Sequence, residues 1–443
     1  MGYIKNYDTL STNENRKIVL ELIEAAISSI QPQEVFQKDF SLQGQTLTIK
    51  DKTFNLANFE RVFLLGFGKG SALMCKILEE KLGGILKSGF VIDVVKQEFK
   101  NINYTLGTHP LPSQENFAFT SHVIEHFSEL SEKDLVLITT CGGGSVMFEA
   151  PVALDLERMI SVNKALLESG ATITEMNVVR KHLSKVKGGG LAKILYPTTV
   201  VNMVFSDVPG NDLSVIASGP LLKDQTTMQD AVNVYEKYNL KDHASLLPSD
   251  FVETPKEDKY FEKVTNVLML SNLTALDAME KRAKELDCPS FIYTDRLQGD
   301  ARTMGEKLIG EATPGHVLLA GGETTIKVTG SGKGGRSQAL VLCSLPFIKN
   351  DVVIAAFGTD GWDFYEFAGA LADRDTLKKI EKTALDVKPF LDNDNSYGFF
   401  EKVGDGILTG KLESNVSDLF IVYKNGKKIK VEARVMPAPV EPT

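Results

Sequence analysis

Arg61-Val-Phe-Leu-Leu-Gly-Phe-Gly-Lys-Gly-Ser71 is the stretch that decides the fold. It begins as a short, continuously apolar run, turns through a glycine cluster and leads into Ala72–Leu82, whose apolar spacing predicts a helix. Leu135–Thr139 and Val200–Phe205 are further apolar runs, each followed by a turn rich in glycine or polar residues. Continuous apolar strands that alternate with helices predict a parallel sheet with helices on both faces.

The size and charge of the chain limit its class. It has 443 residues and a net charge of −9, from 49 basic and 58 acidic residues, without a long basic run. This balance argues against a nucleic-acid surface. No signal peptide is recognisable, the apolar runs are too short to cross a bilayer, and the four cysteines lack metal-ligand spacing. We therefore expect a cytoplasmic α/β protein that does not bind membranes.

A polar stretch, residues 242–263, separates two sections of the chain. We predict an N-terminal domain over residues 1–242 and a second α/β domain over residues 264–430. The second section is expected to begin with a strand at Asn266–Leu270 and to continue with strands at Val317–Ala320 and Val352–Phe357.

The first glycine loop, Gly66–Ser71, matches neither of the common phosphate-binding motifs. Lys69 is followed by glycine where a Walker A loop needs Ser or Thr, and Ser71 stands where the dinucleotide fingerprint needs glycine. Gly66 and Gly68 would still let the backbone approach an anion, and the following helix would point free N–H groups at it. A plain turn with a solvated lysine is the alternative.

Two further stretches of the first section are candidates for anion binding. Gly142, Gly143, Gly144 and Ser145 follow a buried strand, and a plain turn is again the alternative. The segment 177–190 is densely cationic, with Arg180 and Lys181 as candidate ligands of a carboxylate or phosphate. A solvated charged face would explain it equally well.

Carboxylates follow several predicted strands. Asp207 follows Val200–Phe205, and Asp360 follows the strand at residues 352–357. A carboxylate at a strand end suits Mg²⁺ ligation or proton acceptance, although aspartate is also common in turns. The second section adds Glu323 and a glycine-rich cationic loop with Gly334, Gly335 and Arg336.

Taken in order, these motifs resemble the glycerate 2-kinase family, whose C-terminal section is known as MOFRL. The resemblance covers residues 60–423 and rests on Gly66–Lys69, Thr108–Pro112, Gly142–Ser145, Val179–Ser184, Val186–Gly189, Ser206–Gly210, Ala217–Pro220, Gly321–Thr325, Gly334–Arg336, Gly358–Gly361 and Asn415–Leu419.

The resemblance implies a kinase that uses ATP and Mg²⁺ to phosphorylate the 2-hydroxyl of D-glycerate. It also implies a Rossmann-like N-terminal domain and a C-terminal α/β MOFRL domain, with the active site in the cleft between them. By position, Lys69 and Arg336 match the family's basic active-site residues. The expected partners are a small hydroxy acid and a nucleotide; a homo-oligomeric state stays open.

Further roles are hypotheses that we attach to this resemblance. Asp207 is a candidate catalytic residue, and Asp207 or Asp360 would be the proton acceptor or the Mg²⁺ ligand. Substrate binding is assigned to Arg180, Lys181, Glu323 and Asp360. Binding of the nucleotide is assigned to Gly66, Gly68, Gly142, Gly143, Gly144, Ser145, Gly334 and Gly335.

Two departures from the family pattern keep other functions open. Ala339 stands where the family has a carboxylate, and Phe364 and Tyr365 stand where it has smaller residues. One alternative is a nicotinamide-dependent hydroxypyruvate reductase that uses Gly66–Ser71, with Asp93 as ribose partner. A non-catalytic ligand-binding member of the family is the other.

Overall fold

The computed structural model describes residues 2–241, 246–349 and 352–426, which fall into two compact units. The parallel-sheet unit comprises residues 28–274 and 413–417. The mixed-sheet unit comprises the described parts of residues 1–27, 275–412 and 418–443. These units divide the chain differently from the predicted ranges 1–242 and 264–430, whose residues 242 and 427–430 lie outside the described part.

The strands of the parallel-sheet unit form a small antiparallel sheet, β1 to β3, and a six-stranded sheet, β4 to β9. They are β1 (Phe40–Gln43), β2 (Thr46–Ile49), β3 (Lys52–Asn55), β4 (Arg61–Phe67), β5 (Leu86–Asp93), β6 (Ile102–Leu106), β7 (Asp134–Thr140), β8 (Thr199–Phe205) and β9 (Val264–Leu270). All pairs of the larger sheet, ordered β6-β5-β4-β7-β8-β9, are parallel, so the predicted parallel sheet is confirmed.

The described helices follow in chain order. They are α1 (Tyr7–Leu10), α2 (Glu14–Ser29), α3 (Pro32–Asp39), α4 (Ser71–Leu82), α5 (Gln114–Phe127), α6 (Gly144–Met147), α7 (Leu156–Glu168), α8 (Ile173–His182), α9 (Gly190–Leu195), α10 (Met228–Lys237), α11 (Asn272–Glu285), α12 (Ala301–Glu311), α13 (Arg336–Cys343), α14 (Arg374–Thr383), α15 (Lys388–Asp392) and α16 (Ser396–Val403). None is long and apolar enough to cross a membrane.

The apolar runs of the sequence become the core of the parallel sheet. Every residue of β7 is buried, as are the last six of β4 and of β8. Strand β9 is the predicted strand at 266–270, but it pairs with β8 and so extends the first sheet instead of opening the second. The assignment of this strand to the second section was wrong, because the strand with which β9 pairs, and not its distance along the chain, decides to which sheet it belongs.

The chain reverses direction across the sheet between β4 and β7. From β4 the chain builds β5 and β6 on one side, then returns to build β7, β8 and β9 on the other. Phe67 pairs with Thr140, and Thr140 with Val204, so these three strands end at one edge. In doubly wound sheets, ligands bind at the carboxyl ends of strands where the order reverses. The loops after β4 and β7 lie at that point.

The mixed-sheet unit has one six-stranded sheet, ordered β10-β11-β15-β12-β13-β14. Its strands are β10 (Ser290–Leu297), β11 (His316–Gly322), β12 (Val352–Gly358), β13 (Gly369–Ala372), β14 (Gly406–Ile407) and β15 (Asp418–Lys424). Only β10 and β11 run parallel among these described pairs. Asp418 pairs with both Gly322 and Gly358, which places the end of β11, the end of β12 and the start of β15 at one edge.

One buried arginine joins the start of helix α2 to the mixed-sheet unit. Arg16 is fully buried and pairs with Asp373 at 2.6 Å and Asp405 at 2.7 Å. A buried cation needs such partners, since an unpaired one costs several kcal/mol, about 3–5 by analogy with broken buried pairs. This pairing of distant residues gives no signal in the sequence.

Candidate active site

The two loops at the reversal point of the parallel sheet contact each other directly. The Lys69 N–H donates to the carbonyl oxygen of Gly142 at 2.8 Å. Gly68 has φ +103°, and a Cβ there would overlap the Cys141 carbonyl group. A side chain at Gly68 would thus push the two loops apart, so this predicted ligand residue is needed for loop contact.

The N-terminus of α4 already holds a carboxylate of the protein itself. Asp93 is 1% exposed and accepts hydrogen bonds from the N–H groups of Ala72 at 2.9 Å and Val94 at 2.6 Å. Burial raises the pKa of Asp93, and these hydrogen bonds oppose the rise. One of the free N–H groups expected after Gly66–Ser71, that of Ala72, is therefore occupied, and Asp93 is not open to a ribose. Gly66 lies inside β4, where a Cβ would overlap the Cys75 sulfur.

Lys69 is the exposed cation of this edge and makes no ion pair with any described residue. The position of a Cβ on Gly143 would lie 3.4 Å from Lys69 Cε and 3.0 Å from His109 Cδ2. Burial lowers the pKa of His109, and Lys69 and Arg180 lower it further, so the imidazole is neutral near pH 7. Sequence reasoning missed His109, whose only signal was its place in Thr108–Pro112.

The Gly142–Ser145 loop, which we call the nest, faces a carboxylate as well as cations. A Cβ on Gly142 would overlap the Asp207 carboxylate, so that carboxylate lies against the nest backbone. Gly143 has φ +77° and permits the turn into α6. The Ser145 hydroxyl contacts the Ser218 hydroxyl at 2.8 Å. The structure thus brings Lys69, the nest and Asp207 together, as the sequence suggested.

The cationic segment 177–190 divides between the site and the protein interior. Arg180 donates to Asn163 at 3.1 Å and makes no ion pair with a described residue. Lys181 is buried and donates to Asp224 at 3.1 Å, so its charge is used inside the protein, which argues against its expected role in substrate binding. Lys187 pairs with Glu149 in the core, and burial lowers the pKa of Lys187 to about 7.

In the mixed-sheet unit, Arg336 is held by two carboxylates. Its Nε donates to Asp418 Oδ2 at 2.6 Å, and a terminal nitrogen donates to Glu323 Oε1 at 2.6 Å. Burial raises the pKa of Asp418 to about 7, against the pull of the guanidinium. The structure brings Arg336 and Glu323 together, and it adds Asp418, which the sequence showed only as part of a motif.

The N-terminus of α13 is also filled from within. Asp363 accepts hydrogen bonds from the N–H groups of Gln338 at 2.8 Å and Ser337 at 3.3 Å. Burial raises the pKa of Asp363 to about 6. A Cβ on Gly335 would overlap the Asp363 carboxylate, and one on Gly334 would overlap the Ser396 hydroxyl. The space that a side chain would fill at each of these glycines is therefore occupied by another side chain of the protein.

The departures from the family pattern have distinct environments. Ala339 is buried in α13. Phe364 is 69% exposed at φ +62°, whereas the Tyr365 ring lies 5.0 Å from that of Tyr397 and 4.8 Å from the Lys333 ammonium. Asp360, at the end of β12, accepts a hydrogen bond from the N–H of Trp362 at 3.0 Å.

The chemistry of the donors fits Mg²⁺. No group of three or more His, Cys, Asp or Glu among the described residues is placed to hold a metal. Mg²⁺ in kinases commonly takes one or two carboxylates and completes its shell with phosphate oxygens and water. Asp207 has carboxylate oxygens of the kind that bind Mg²⁺, and it lies against the nest. Asp360 offers the same kind of ligand in the mixed-sheet unit.

Comparison with known proteins identifies the family of the chain. Residues 18–248 match the family model described as a domain of unknown function, DUF4147, and residues 316–418 match the MOFRL family. The glycerate 2-kinase of Pyrococcus horikoshii is 32% identical, covering 93% of this chain and 98% of that protein. A putative hydroxypyruvate reductase of Agrobacterium vitis is 33% identical, with 81% and 86% covered.

A solved structure extends the likeness to the fold. The crystal structure of glycerate kinase from Thermotoga maritima superposes with a TM-score of 0.81 at 32% identity, covering 92% of this chain and 99% of that one. Both family models match in the expected order, and the resemblance read from the short motifs is confirmed. The chain belongs to the glycerate 2-kinase family.

Proposed function

We propose that this protein is a glycerate 2-kinase, which transfers the γ-phosphoryl group of ATP to the 2-hydroxyl of D-glycerate and yields 2-phospho-D-glycerate and ADP. The observation that carries the proposal is Lys69, an exposed ammonium that makes no ion pair with a described residue, beside a glycine nest at the reversal point of a parallel sheet. Phosphoryl transfer depends mainly on positioning and on charge neutralisation, which these groups supply.

Within the parallel-sheet unit, each group has a role in this reaction. Lys69 binds the migrating phosphoryl group, and the backbone of Gly142–Ser145 holds the nucleotide phosphates. Arg180, which makes no ion pair among the described residues, binds the glycerate carboxylate. Asp207 would hold Mg²⁺, which when bound neutralises charge on the phosphate oxygens.

The proton of the attacking hydroxyl needs an acceptor. Asp207 and Asp360 were the candidates from the sequence, and His109 joins them because its imidazole is neutral and faces Gly143. We favour His109, since Asp207 is then left to bind the metal. The hydroxyl oxygen attacks phosphorus, the bond from phosphorus to the ADP oxygen breaks, and the proton stays on the imidazole.

In the mixed-sheet unit, Arg336 is the proposed second catalytic cation, with Glu323 and Asp360 contacting substrate and Gly334 and Gly335 close to the nucleotide. This part rests on the family resemblance. The ion pairs of Arg336 with Asp418 and Glu323 fix its guanidinium before any ligand arrives. A cytoplasmic location remains a prediction from the sequence, and a homo-oligomeric state stays open.

The test is an assay of ADP release with ATP, Mg²⁺ and D-glycerate. We expect ADP release that depends on glycerate and is lost in Lys69→Ala but kept in Lys81→Ala, an exposed lysine in the last turn of α4. Absence of ADP release would refute the proposal. Consumption of a reduced nicotinamide cofactor with hydroxypyruvate would instead establish the reductase that the Agrobacterium name suggests, although Asp93 is closed to a ribose.

A further inference from the structure

Three side chains form a hydrogen-bonded chain that leads from the nest into the protein interior. Ser145 Oγ lies 2.8 Å from Ser218 Oγ, and Ser218 Oγ donates to Asn177 Oδ1 at 2.6 Å. Ser218 is 0% and Asn177 3% exposed, whereas Ser145 is half-buried. Ser145 is thus the one member of this chain that a ligand can reach.

The direction of these hydrogen bonds is fixed from the buried end. An amide oxygen can only accept, so the single hydrogen of the Ser218 hydroxyl goes to Asn177. The contact between the two serines then requires Ser145 to donate to Ser218 Oγ. The only hydrogen of the Ser145 hydroxyl is thereby used, and its lone pairs are what it offers to a ligand.

The backbone at Ser218 and the residue before it adopts unfavourable dihedral angles. Ala217 and Ser218 have φ of 50° and 60°, which cost side-chain-bearing residues energy, on the order of 1 kcal/mol each. The Gly188 N–H donates to the Ser218 carbonyl oxygen at 3.0 Å, and the Ser218 N–H donates to the Val215 carbonyl oxygen at 3.0 Å. A strained serine that the surrounding structure fixes in this way indicates that the position of its hydroxyl matters.

An oxygen that presents lone pairs repels an ionised phosphate oxygen and attracts a hydroxyl hydrogen. The amide oxygen of Asn177 is not basic, so this chain of groups cannot take up a proton and Ser145 cannot serve as the base. The 2-hydroxyl loses its proton in the reaction, whereas the 3-hydroxyl keeps its proton in both substrate and product. The 3-hydroxyl is therefore the matching donor.

We propose that Ser145 accepts a hydrogen bond from the 3-hydroxyl of glycerate and so selects a dihydroxy acid, instead of donating to a nucleotide phosphate. This inference rests on the proposed function and changes the role of one residue of the nest. The backbone of Gly142–Gly144 keeps its place at the phosphates.

The test compares the binding of three ligands to the full chain by titration calorimetry: D-glycerate, D-lactate, which lacks the 3-hydroxyl, and ATP. In Ser145→Ala we expect about 10-fold weaker binding of D-glycerate, the worth of one hydrogen bond, with D-lactate and ATP changed by less than about 2-fold. Ser128→Ala, an exposed serine, is the matched control, with all three ligands unchanged. Asn177→Asp keeps an acceptor and is expected to retain D-glycerate binding.

Several results would overturn the inference. Weaker ATP binding in Ser145→Ala with unchanged D-glycerate binding would make Ser145 a phosphate donor. Equal weakening of D-glycerate and D-lactate would show that Ser145 does not contact the 3-hydroxyl. If the unaltered protein binds no D-glycerate, the inference and the proposed function fall together. If it binds D-glycerate and releases no ADP, the proposed function alone falls.

Discussion

The carboxyl edges of the two sheets share one local design and differ in electrostatic state. Each has a glycine-rich loop, a cation and a helix whose N-terminus is filled by a buried carboxylate, Asp93 on α4 and Asp363 on α13. Lys69 makes no ion pair among the described residues, whereas Arg336 is bound by Asp418 and Glu323. The same sequence pattern therefore produces one open cation and one neutralised cation.

The difference teaches that a glycine loop before a helix does not by itself make an anion site. In both units a carboxylate of the protein accepts from the start of such a helix, from one N–H group of α4 and from two of α13. At the second edge, a counter-charge for Arg336 comes from a neighbouring strand. Asp418 enters the second edge because β15 runs antiparallel between β11 and β12.

The largest effect is expected at the open cation. Lys69→Ala should lower kcat/KM for phosphorylation of glycerate by about 10³-fold, since no other group replaces a missing cation at the migrating phosphoryl. The free energy of unfolding should change by less than about 0.5 kcal/mol, because Lys69 is exposed. Initial-rate kinetics and urea unfolding give the two numbers. A large loss of stability would place Lys69 among the structural residues.

The neutralised cation should behave differently. Arg336→Gln should lower the free energy of unfolding by about 3 kcal/mol above about pH 7, where buried Asp418 is ionised and loses its counter-charge, and by less at lower pH, where Asp418 is protonated. Turnover should fall as well. Arg336→Lys keeps the positive charge but loses the bidentate geometry of the guanidinium. It should therefore restore the free energy of unfolding more fully than the activity. Urea unfolding measures the loss of stability, and initial-rate kinetics measure the loss of turnover. An Arg336→Gln protein of full stability would contradict the assigned ion pairs.

The two helix caps allow the shared design to be tested. Asp93→Ala and Asp363→Ala should each cost about 1–3 kcal/mol of unfolding free energy, since each leaves buried N–H groups without an acceptor. Asn in place of Asp retains one acceptor oxygen and should cost less. Thermal and urea unfolding of the four variants provide the comparison. If either alanine variant were as stable as the parent, its helix would not depend on the cap.

The last prediction concerns pH. Burial raises the pKa of Asp418 from 3.8 to about 7, so between these values the folded chain holds a proton that the unfolded chain has lost. Stability should therefore fall as pH rises through this interval, by at most about 1.4 kcal/mol per pH unit. Asp418→Asn should reduce the slope of the unfolding free energy against pH. The slope that remains would come from Asp363, whose pKa is also raised. Urea unfolding between about pH 5 and pH 7.5 measures it; an unchanged slope would contradict the shifted pKa.

The sequence was sufficient for the parallel sheet, because its strands are buried on both faces and appear as continuous apolar runs. Lys69 and the nest were found for a related reason, since loops after such strands meet at one edge. The sheet to which β9 belongs was harder to predict, because β9 joins the first sheet through pairing that the chain order does not show.

What the sequence could not predict are contacts made across the sheets. Asp93 appeared to be a ribose partner because it ends a strand, and its hydrogen bonds to Ala72 and Val94 depend on how α4 packs. Lys181 has the same charge as its neighbour Arg180, but the step of about 100° between adjacent residues of a helix directs it to Asp224 inside the protein. Charge along the chain indicates where cations are, and burial decides which of them a ligand can reach.

The central claim is that the open edge of the parallel sheet carries glycerate 2-kinase chemistry through Lys69. The most direct test is phosphorus NMR of the product formed from ATP and D-glycerate, with the unaltered protein, Lys69→Ala and Lys81→Ala side by side. We predict 2-phosphoglycerate from the unaltered protein and from Lys81→Ala, and none above background from Lys69→Ala. Phosphorylation at the 3-hydroxyl, or full product formation by Lys69→Ala, would contradict the account.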